Sequence, residues 1–350
     1  MDRYYKPNLT QINNVPSGAM TSSGFTWSAN LPVGPAYRYL DIITTMTAAG
    51  GATLASVSDF MNLVTISINS KPFRMFLGSE AHDVYTRYGS NYGAVVFKST
   101  GAGNTLYPVL SGTSLAAPAA NGQGTCVLRI YFEEPWRKNW TAASARKLTT
   151  QWPAATQGGP AQTISSLQIQ CQVNQTANNT AATGISVYIQ AGTDKSVGIV
   201  TAQGTPVTNS LKWYRFPSFT YSASGDQQVQ NVVPYNKGQQ LAILEEMDFF
   251  AQSTGDDIDR VQVNSDGDVN IDCTPALNSL DLVRHGFNPL YNLDEFAVVF
   301  DANDDVTDGK VLSTPTGQFI NNFIVTATLV QASGANKSYV IISQVFGPLD

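Results

Sequence analysis

Period-two alternation of apolar and polar residues constrains this chain more than any other feature. In 60-FMNLVTISI-68, Phe60, Asn62, Val64, Ile66 and Ile68 fall on one face, and Met61, Leu63, Thr65 and Ser67 fall on the other. Successive side chains of a strand alternate in this way, whereas a helix groups residues three and four apart. Segments 92–98, 124–132, 165–173, 184–190, 211–221, 239–247, 295–300, 319–330 and 337–346 read similarly, with Gly, Pro and Asn gathered between them. Parallel neighbours need a crossover of about a dozen residues or more, usually a helix. Short strands with almost no helix between them therefore predict antiparallel sheets stacked as a sandwich or barrel, and exclude a parallel α/β fold.

Only two stretches read as helix. In 139-NWTAASARKLTTQW-152, Asn139 or Thr141 can cap, three alanines favour helix, Arg146 and Lys147 lie toward the negative end of the helix dipole, and Pro153 stops the run. A second helix is expected over 276–287. At 350 residues the chain exceeds what one hydrophobic core serves, so two domains are expected. Each predicted helix follows several strands and precedes the last strands of its half, which suggests a duplicated architecture without a residue-level repeat. The boundary is placed in the polar stretch 174–183. The resulting division is an N-terminal arm over 1–35, a first sandwich over 36–176 and a second over 177–350.

Composition bears on the surface. Lys and Arg number 20 and Asp and Glu 26, a charged share of 13% against about 25% in an ordinary soluble domain. Asn, Gln, Ser and Thr take the place of charges, and these can be buried against a partner at lower desolvation cost. The net charge of -6 provides no positive field for nucleic acid, so direct sequence-specific binding to it is not expected. Cys126, Cys171 and Cys273 are odd in number and widely spaced, which argues against a disulfide framework or a thiolate metal site and fits folding in a reducing cytoplasm. The first residues contain no apolar signal-like stretch, and no apolar run approaches a bilayer's thickness, so the protein is expected to be soluble when made.

Several segments carry chemistry that has to be weighed. The run 112-GTSLAAPAANG-122 is similar to the nucleophile segment of subtilisin-like proteases and would nominate Ser114. A serine nucleophile needs an imidazole base and an orienting carboxylate. The two histidines do not supply them: His82 lacks the expected flanking residues, and His285 follows the serine in the wrong order. Glu133 with Glu134, and Glu245 with Glu246, are adjacent; on a strand such neighbours point to opposite faces and cannot flank one glycosidic bond. Catalytic and cofactor-binding residues are accordingly expected to be none, and the chain is not expected to be an enzyme. Half of the carboxylates lie in 256–308, where 264-NSDGDVNID-272 and 301-DANDDVTDG-309 resemble calcium loops. Asp301, Asn303 and Asp305 have alternate-position oxygen ligands, although Val306 and Leu312 stand where an EF-hand requires Gly and Glu. Calcium at these three residues is retained as an expectation beside solvated Asx turns. Arg3, Tyr4, Tyr5 and Lys6 combine two cations with two aromatics, suited to anchoring the arm on a neighbouring subunit or on lipid headgroups.

The succession 127-VLRIYFEEPW-136, 140-WTAASARKL-148 and 165-SSLQIQCQV-173, followed in the second half by 280-LDLVRHGFNPLYNLDEFAVVFDAND-304, resembles the double jelly-roll major capsid proteins of tailless icosahedral, membrane-containing bacteriophages of the tectivirus type. The resemblance spans roughly 37–346 as element order with short local similarities. It implies an all-β chain of two consecutive eight-stranded jelly-roll sandwiches with short helical insertions. It further implies a homotrimer whose six jelly rolls form a pseudo-hexagonal capsomer in a virion shell. The partners implied are other copies of the chain, neighbouring capsomers, penton and minor capsid proteins, and an internal membrane. The arm departs from the family in lacking a Gln- and Ala-rich helical character. The competing reading is a β-sandwich receptor- or carbohydrate-binding protein, with Trp213, Tyr214 and Phe216 lining the site.

Overall fold

The computed structural model describes residues 8–12, 25–48, 60–99, 106–110, 123–137, 146–153, 162–173, 182–195, 198, 208–216, 219–230, 232–233, 241–252, 257–289, 294–301, 309–330 and 337–348. The chain divides into two compact units. The first comprises Met1–Thr86, Ser90–Glu134 and Lys147–Val207, and the second comprises Arg87–Gly89, Pro135–Arg146 and Thr208–Asp350.

In the first unit, one antiparallel sheet runs in the order β1 (Asn8–Ile12), β12 (Ala182–Asp194), β3 (Ala36–Ala48), β8 (Gln123–Tyr131), β6 (Val95–Ser99) and β7 (Leu106–Leu110). A second antiparallel set runs β5 (Lys71–Phe76), β4 (Leu63–Ile68), β11 (Leu167–Val173) and β2 (Phe25–Asn30). A small hairpin joins β9 (Gln151–Trp152) to β10 (Gln162–Thr163). The predicted alternation is realised: Val64, Ile66 and Ile68 of β4 are buried, as are Leu167, Ile169, Cys171 and Val173 of β11, while Gln168 and Gln170 face solvent. Side chains of one parity leave water and those of the other keep it, which fixes the register of each strand.

The second unit repeats the plan. One set orders β19 (Glu295–Val299), β16 (Ala242–Ala251), β22 (Lys337–Pro348) and β13 (Asn209–Arg215), with β14 (Phe219–Tyr221) on β22 and β20 (Lys310–Ser313) on β16. A four-stranded sheet orders β15 (Gly225–Gln230), β21 (Phe323–Val330), β17 (Asp257–Ser265) and β18 (Asp268–Cys273). Met247, Phe249 and Ile341 from the first set share one buried cluster with Val261, Val263, Val325 and Ala327 from the second. The two layers therefore close on a common core, each fully buried Val, Ile or Phe contributing about 1.5–3 kcal/mol.

The duplication extends to local chemistry. β11 lies between β2 and β4, and β21 lies between β15 and β17. β12 pairs with β3, and β22 pairs with β16. The β4–β5 turn places Asn69 and Ser70 at φ 50° and 65°, and the β17–β18 turn places Asp266 and Gly267 at 50° and 93°. Two consecutive residues with positive φ make the hairpin turn whose twist suits paired strands. In each turn the first side chain also anchors the strand that enters between. Asn69 Oδ1 accepts from Ser165 N at 2.8 Å and Ser166 N at 3.4 Å, and Asp266 Oδ1 accepts from Asn321 N and Asn322 N, both at 2.9 Å. The turn N–H of Asn69 donates to Ser166 O, and that of Asp266 to Asn322 O. A helix follows each hairpin: α1 (Gly78–Tyr88) after β5 and α2 (Pro275–Arg284) after β18.

Four expectations change. The helix foreseen over 139–152 is not helical where it is described. Arg146 belongs to the second unit and pairs with Glu245, Lys147 pairs with Asp194, Leu148 forms a backbone bridge with Tyr37, and Gln151–Trp152 is a strand; two side chains and the backbone of the next residue, each with a distant partner, draw the chain out. Residues 139–145 lie outside the described residues. The helix of the first half is α1 instead. The boundary near 176 also moves, because β12 pairs with β3 from Ala182 to Asp194 and belongs to the first unit, which ends at Val207. Within 1–35, residues 8–12 and 25–30 are sheet strands, not a free arm. Segment 264–272 is the β17–β18 hairpin, not a calcium loop, since Asp266 and Gly267 form its turn. No helix among the described residues is long and apolar enough to cross a membrane.

Candidate functional site

Ser114 lies outside the described residues, as do Arg3, Tyr4, Tyr5, Lys6, Asn303 and Asp305. His82 is buried on α1, where its Nδ1 accepts a hydrogen bond from Ala94 N at 2.8 Å. Burial holds its pKa below the ordinary histidine value, and the ring ties down the loop after α1 through that bond. His285 follows α2, with its Nδ1 3.0 Å from Asp281 O. Glu133 forms a two-point ion pair with Arg38, including Arg38 Nη2 to Oε1 at 2.8 Å. Glu134, its neighbour, is also buried. Trp213 is buried, and Tyr214 and Phe216 pack against the second core, so the three do not form an open aromatic platform.

Among the described residues, a dense cluster of buried charge lies within the second unit, along β16. This strand is buried on both faces. Ala242, Leu244, Met247 and Phe249 join the apolar core, and a bulge between Leu244 and Glu246 sets Glu245 apart in the ladder. Arg87 Nη1 reaches both Glu246, in a very short contact, and Asp248 Oδ1 at 2.6 Å. Tyr88 OH donates to Glu246 Oε2 at 2.5 Å, and Gln344 Nε2 lies 2.9 Å from Glu246 Oε2 and 3.0 Å from Asp248 Oδ2. Arg137 pairs with Glu245 at 3.2 Å and with Asp301 at 2.5 Å. Arg146 pairs closely with Glu245 and lies 3.6 Å from Asp301. Burial holds the Asp248 carboxyl above the usual carboxylate range even though Arg87 opposes the shift.

These ion pairs have a consequence for chain connectivity. Arg87 comes from Arg87–Gly89, and Arg137 and Arg146 come from Pro135–Arg146, the two short segments that the second unit takes from within the first half of the sequence. Charge pairing and aromatic stacking bind them there: Tyr88 stacks on Trp136 at 4.4 Å and meets Phe287 edge-on at 5.3 Å. The arrangement is a structural lock. Both Glu245 and Glu246 are committed to guanidinium partners, and Asp301, nominated for calcium, holds Arg137. Among the described residues no group of three metal-ligating side chains is assembled.

A different surface is open. On α2, Asn278 and Leu282 face inward, with Asn278 Nδ2 donating to Ala297 O at 2.7 Å. Leu277, Leu280 and Val283 face outward at 60%, 47% and 47% exposure, and Val269 of β18 is exposed as well, at 57%. A surface helix ordinarily places its apolar stripe toward the core; here a second stripe points to solvent. A cleft of about 310 Å³ opens beside it, lined by Ile271, Cys273, Leu277, Leu282, Phe287 and Val298 among others.

No protein-family model matches the chain, and no curated protein matches it in sequence. Solved structures do match. The major capsid protein of bacteriophage PM2 is similar at a TM-score of 0.63 and 16% identity, over 98% of each chain. The STIV major capsid protein is similar at 0.60 and 13% identity, over 97% of this chain and 96% of that one. The PBCV-1 virus capsid protein is similar at 0.55 and 9% identity, over 99% and 95%. This chain has the double jelly-roll fold. Its two jelly rolls are the two compact units, and the repeated hairpin, anchored strand and helix are their shared features.

Sequence reasoning missed the double jelly roll's arginine lock and its outward helix face. Arg87 and Arg146 were visible only as isolated cations, because their acids stand some 100 to 160 residues away in sequence. For α2 the signal was present: Leu277, Leu280 and Val283 are three apart and Leu282 lies on the opposite side, so one helix carries apolar residues on both faces.

Proposed function

We propose that this chain is a major capsid subunit that forms homotrimers, the six jelly rolls of a trimer making a pseudo-hexagonal capsomer of an icosahedral virion shell. The supporting observation is the fold itself: two sandwiches of one plan, similar over nearly the whole chain to capsid proteins at both ends of the alignment. The low charge content agrees, since copies packed around a shell bury wide polar contacts and neutral amides enter them at lower cost than charges. The role is structural and not catalytic: His82 accepts a backbone hydrogen bond, and Glu133, Glu245 and Glu246 are tied up with arginines. The partners are further copies of the chain, neighbouring capsomers, and penton and minor capsid proteins, with Arg3, Tyr4, Tyr5 and Lys6 available to meet a neighbour or an internal membrane. The test is to express the chain alone and follow its mass by light scattering after size exclusion. A trimer supports the reading, and a monomer across the whole concentration range overturns it.

A further inference from the structure

The cleft between α2, β18 and β19 has a chemistry that neither the core nor the arginine lock uses. Its volume of about 310 Å³ falls within the roughly 300–1,000 Å³ of small-molecule sites. Ile271, Leu282, Phe287 and Val298 give it apolar wall. Its polar groups are acceptors. Asn278, only 8% exposed, donates from Nδ2 to Ala297 O at 2.7 Å, so Oδ1 is the side-chain atom left to the cleft, and it has no partner among the described residues. His285 Nδ1 lies 3.0 Å from Asp281 O, a carbonyl that can only accept, which leaves Nε2 of the neutral ring as an acceptor. Asp272 and Asp281 add two carboxylates. Arg260 balances Asp272 at 2.6 and 2.5 Å, whereas Asp281 has only His285, at 3.8 Å. None of the described residues lining the cleft is Lys or Arg, and Lys310, which approaches Asn270, is held by its Oδ1 at 2.7 Å. Burial, followed by the negative charges of Asp272 and Asp281, holds the Cys273 thiol above its ordinary value, as expected beside uncompensated acid.

A cleft of acceptors, one uncompensated carboxylate and apolar wall selects a ligand that donates hydrogen bonds, carries positive charge and brings hydrocarbon. A carboxylate ligand would meet repulsion and find no side-chain N–H to receive it. An alkylammonium meets all three requirements: its head has three donors and no acceptor, and its methylenes can lie along apolar surface while the charge stays near water. We infer that this cleft binds an alkylammonium group, with Asp281 and Asn278 Oδ1 accepting from the nitrogen and Ile271, Leu282 and Phe287 packing on the carbon chain. Every lining residue belongs to the second unit, so the site is complete in one chain and stands apart from the capsid reading. The group is carried by a free amine or by a lysine of a neighbouring copy, two sources of one chemistry.

The test titrates the full chain, labelled at its methyl groups, with hexylammonium, hexanol and hexanoate, and follows Leu282, Val298 and Val299 of the cleft by NMR. Hexylammonium is expected to shift these signals at a concentration about ten-fold lower than hexanol does, the factor that one charge-assisted hydrogen bond supplies, and hexanoate is expected to leave them in place. Asp281→Asn, at an exposed position of α2, should weaken hexylammonium about ten-fold and leave hexanol unchanged. Equal potency of hexylammonium and hexanol, or hexylammonium binding that Asp281→Asn does not alter, would overturn the inference. Carbodiimide coupling, which joins carboxylates to amines, then separates the sources in the assembled protein with added hexylammonium. Asp281 coupled to a lysine of a second chain assigns the group to a neighbouring copy, and Asp281 coupled to the added amine alone assigns it to a free ligand. Coupling at Asp281 no greater than at exposed Asp268 would count against the site.

Discussion

Replacing Arg87 with methionine removes the cation that holds Glu246 and Asp248 while keeping an unbranched apolar side chain in its place. Both acids are almost completely buried, and the remaining donors, Tyr88 OH and Gln344 Nε2, are neutral. Breaking a buried pair by deleting one partner costs about 3–5 kcal/mol, because the other charge is left uncompensated. Two acids share this arginine, so the upper end applies. With a urea dependence of about 2 kcal/mol per molar, the midpoint of the second unit's transition falls by roughly 2.5 M. Fluorescence can follow that transition, since Trp136 stacks on Tyr88 within the network. The pH dependence has a defined sign. Burial already holds the Asp248 carboxyl above the usual carboxylate range, and without Arg87 the charge that opposes that shift is gone. The folded state then binds more protons than the unfolded state between the ordinary carboxylate pKa and the raised one, and stability falls as pH rises through that interval. The defect is therefore smaller at about pH 5 than at about pH 8. The triple variant Arg87→Met, Glu246→Gln, Asp248→Asn removes the uncompensated charge and should recover most of the lost stability. A triple variant no more stable than Arg87→Met, or a defect that deepens toward acid pH, would refute this account of the network.

Further outcomes follow from the same structure. A fragment of residues 1–176 lacks β12, the thirteen-residue partner of β3, and is expected to give a poorly dispersed amide NMR spectrum; a dispersed spectrum with sharp lines would contradict the assignment of β12 to the first unit. In the native subunit at mildly alkaline pH, Cys273 should react slowly with a thiol reagent, while Cys126 and Cys171 react only after denaturation. All three thiols are raised by burial, Cys126 to about 12, but only Cys273 is partly exposed. Tyr85 is fully buried with its pKa pushed up to about 12. Its neutral form is thus favoured by folding, and stability should decline from about pH 10 to pH 12; Tyr85→Phe should flatten that decline in thermal melts run across the interval. Asp301→Ala removes one of the acidic partners of Arg137 and leaves Glu245, so it should destabilise by about 1.5–3 kcal/mol, and added calcium should leave the melting temperature of the unsubstituted protein unchanged; a calcium-dependent rise would restore Asp301, Asn303 and Asp305 as a binding loop.

The strands that bury one face were legible because period-two patterning is written locally: β4 and β11 fall where their alternation placed them. β3 was harder to read, since Arg38 and Asp41 interrupt its apolar pattern, and these are neutralised by Glu133 and Arg129 from far along the chain. α1 carried a readable signal in the reach of Glu80 back to Leu77 N at 2.7 Å, the acidic half of a capping box, but its few apolar residues gave it little periodic contrast. The stretch 139–152 failed for the opposite reason. Its composition favours helix, yet Arg146, Lys147 and Leu148 each answer to a different distant partner, and tertiary contacts override a local preference of a few tenths of a kcal/mol per residue. The duplicated plan was sensed from element order, while its clearest evidence, the matched Asn69 and Asp266 anchors, needs the structure, because only the oxygen position and the turn geometry are shared.

The central claim is that this double jelly roll is a shell-building subunit, and negative-stain imaging of the purified chain combined with sedimentation velocity tests it most directly. The account predicts a species of three chain masses with a six-lobed outline that goes on to form closed shells as concentration rises. A single monomeric boundary at every concentration, with no ordered particles on the grid, would contradict it.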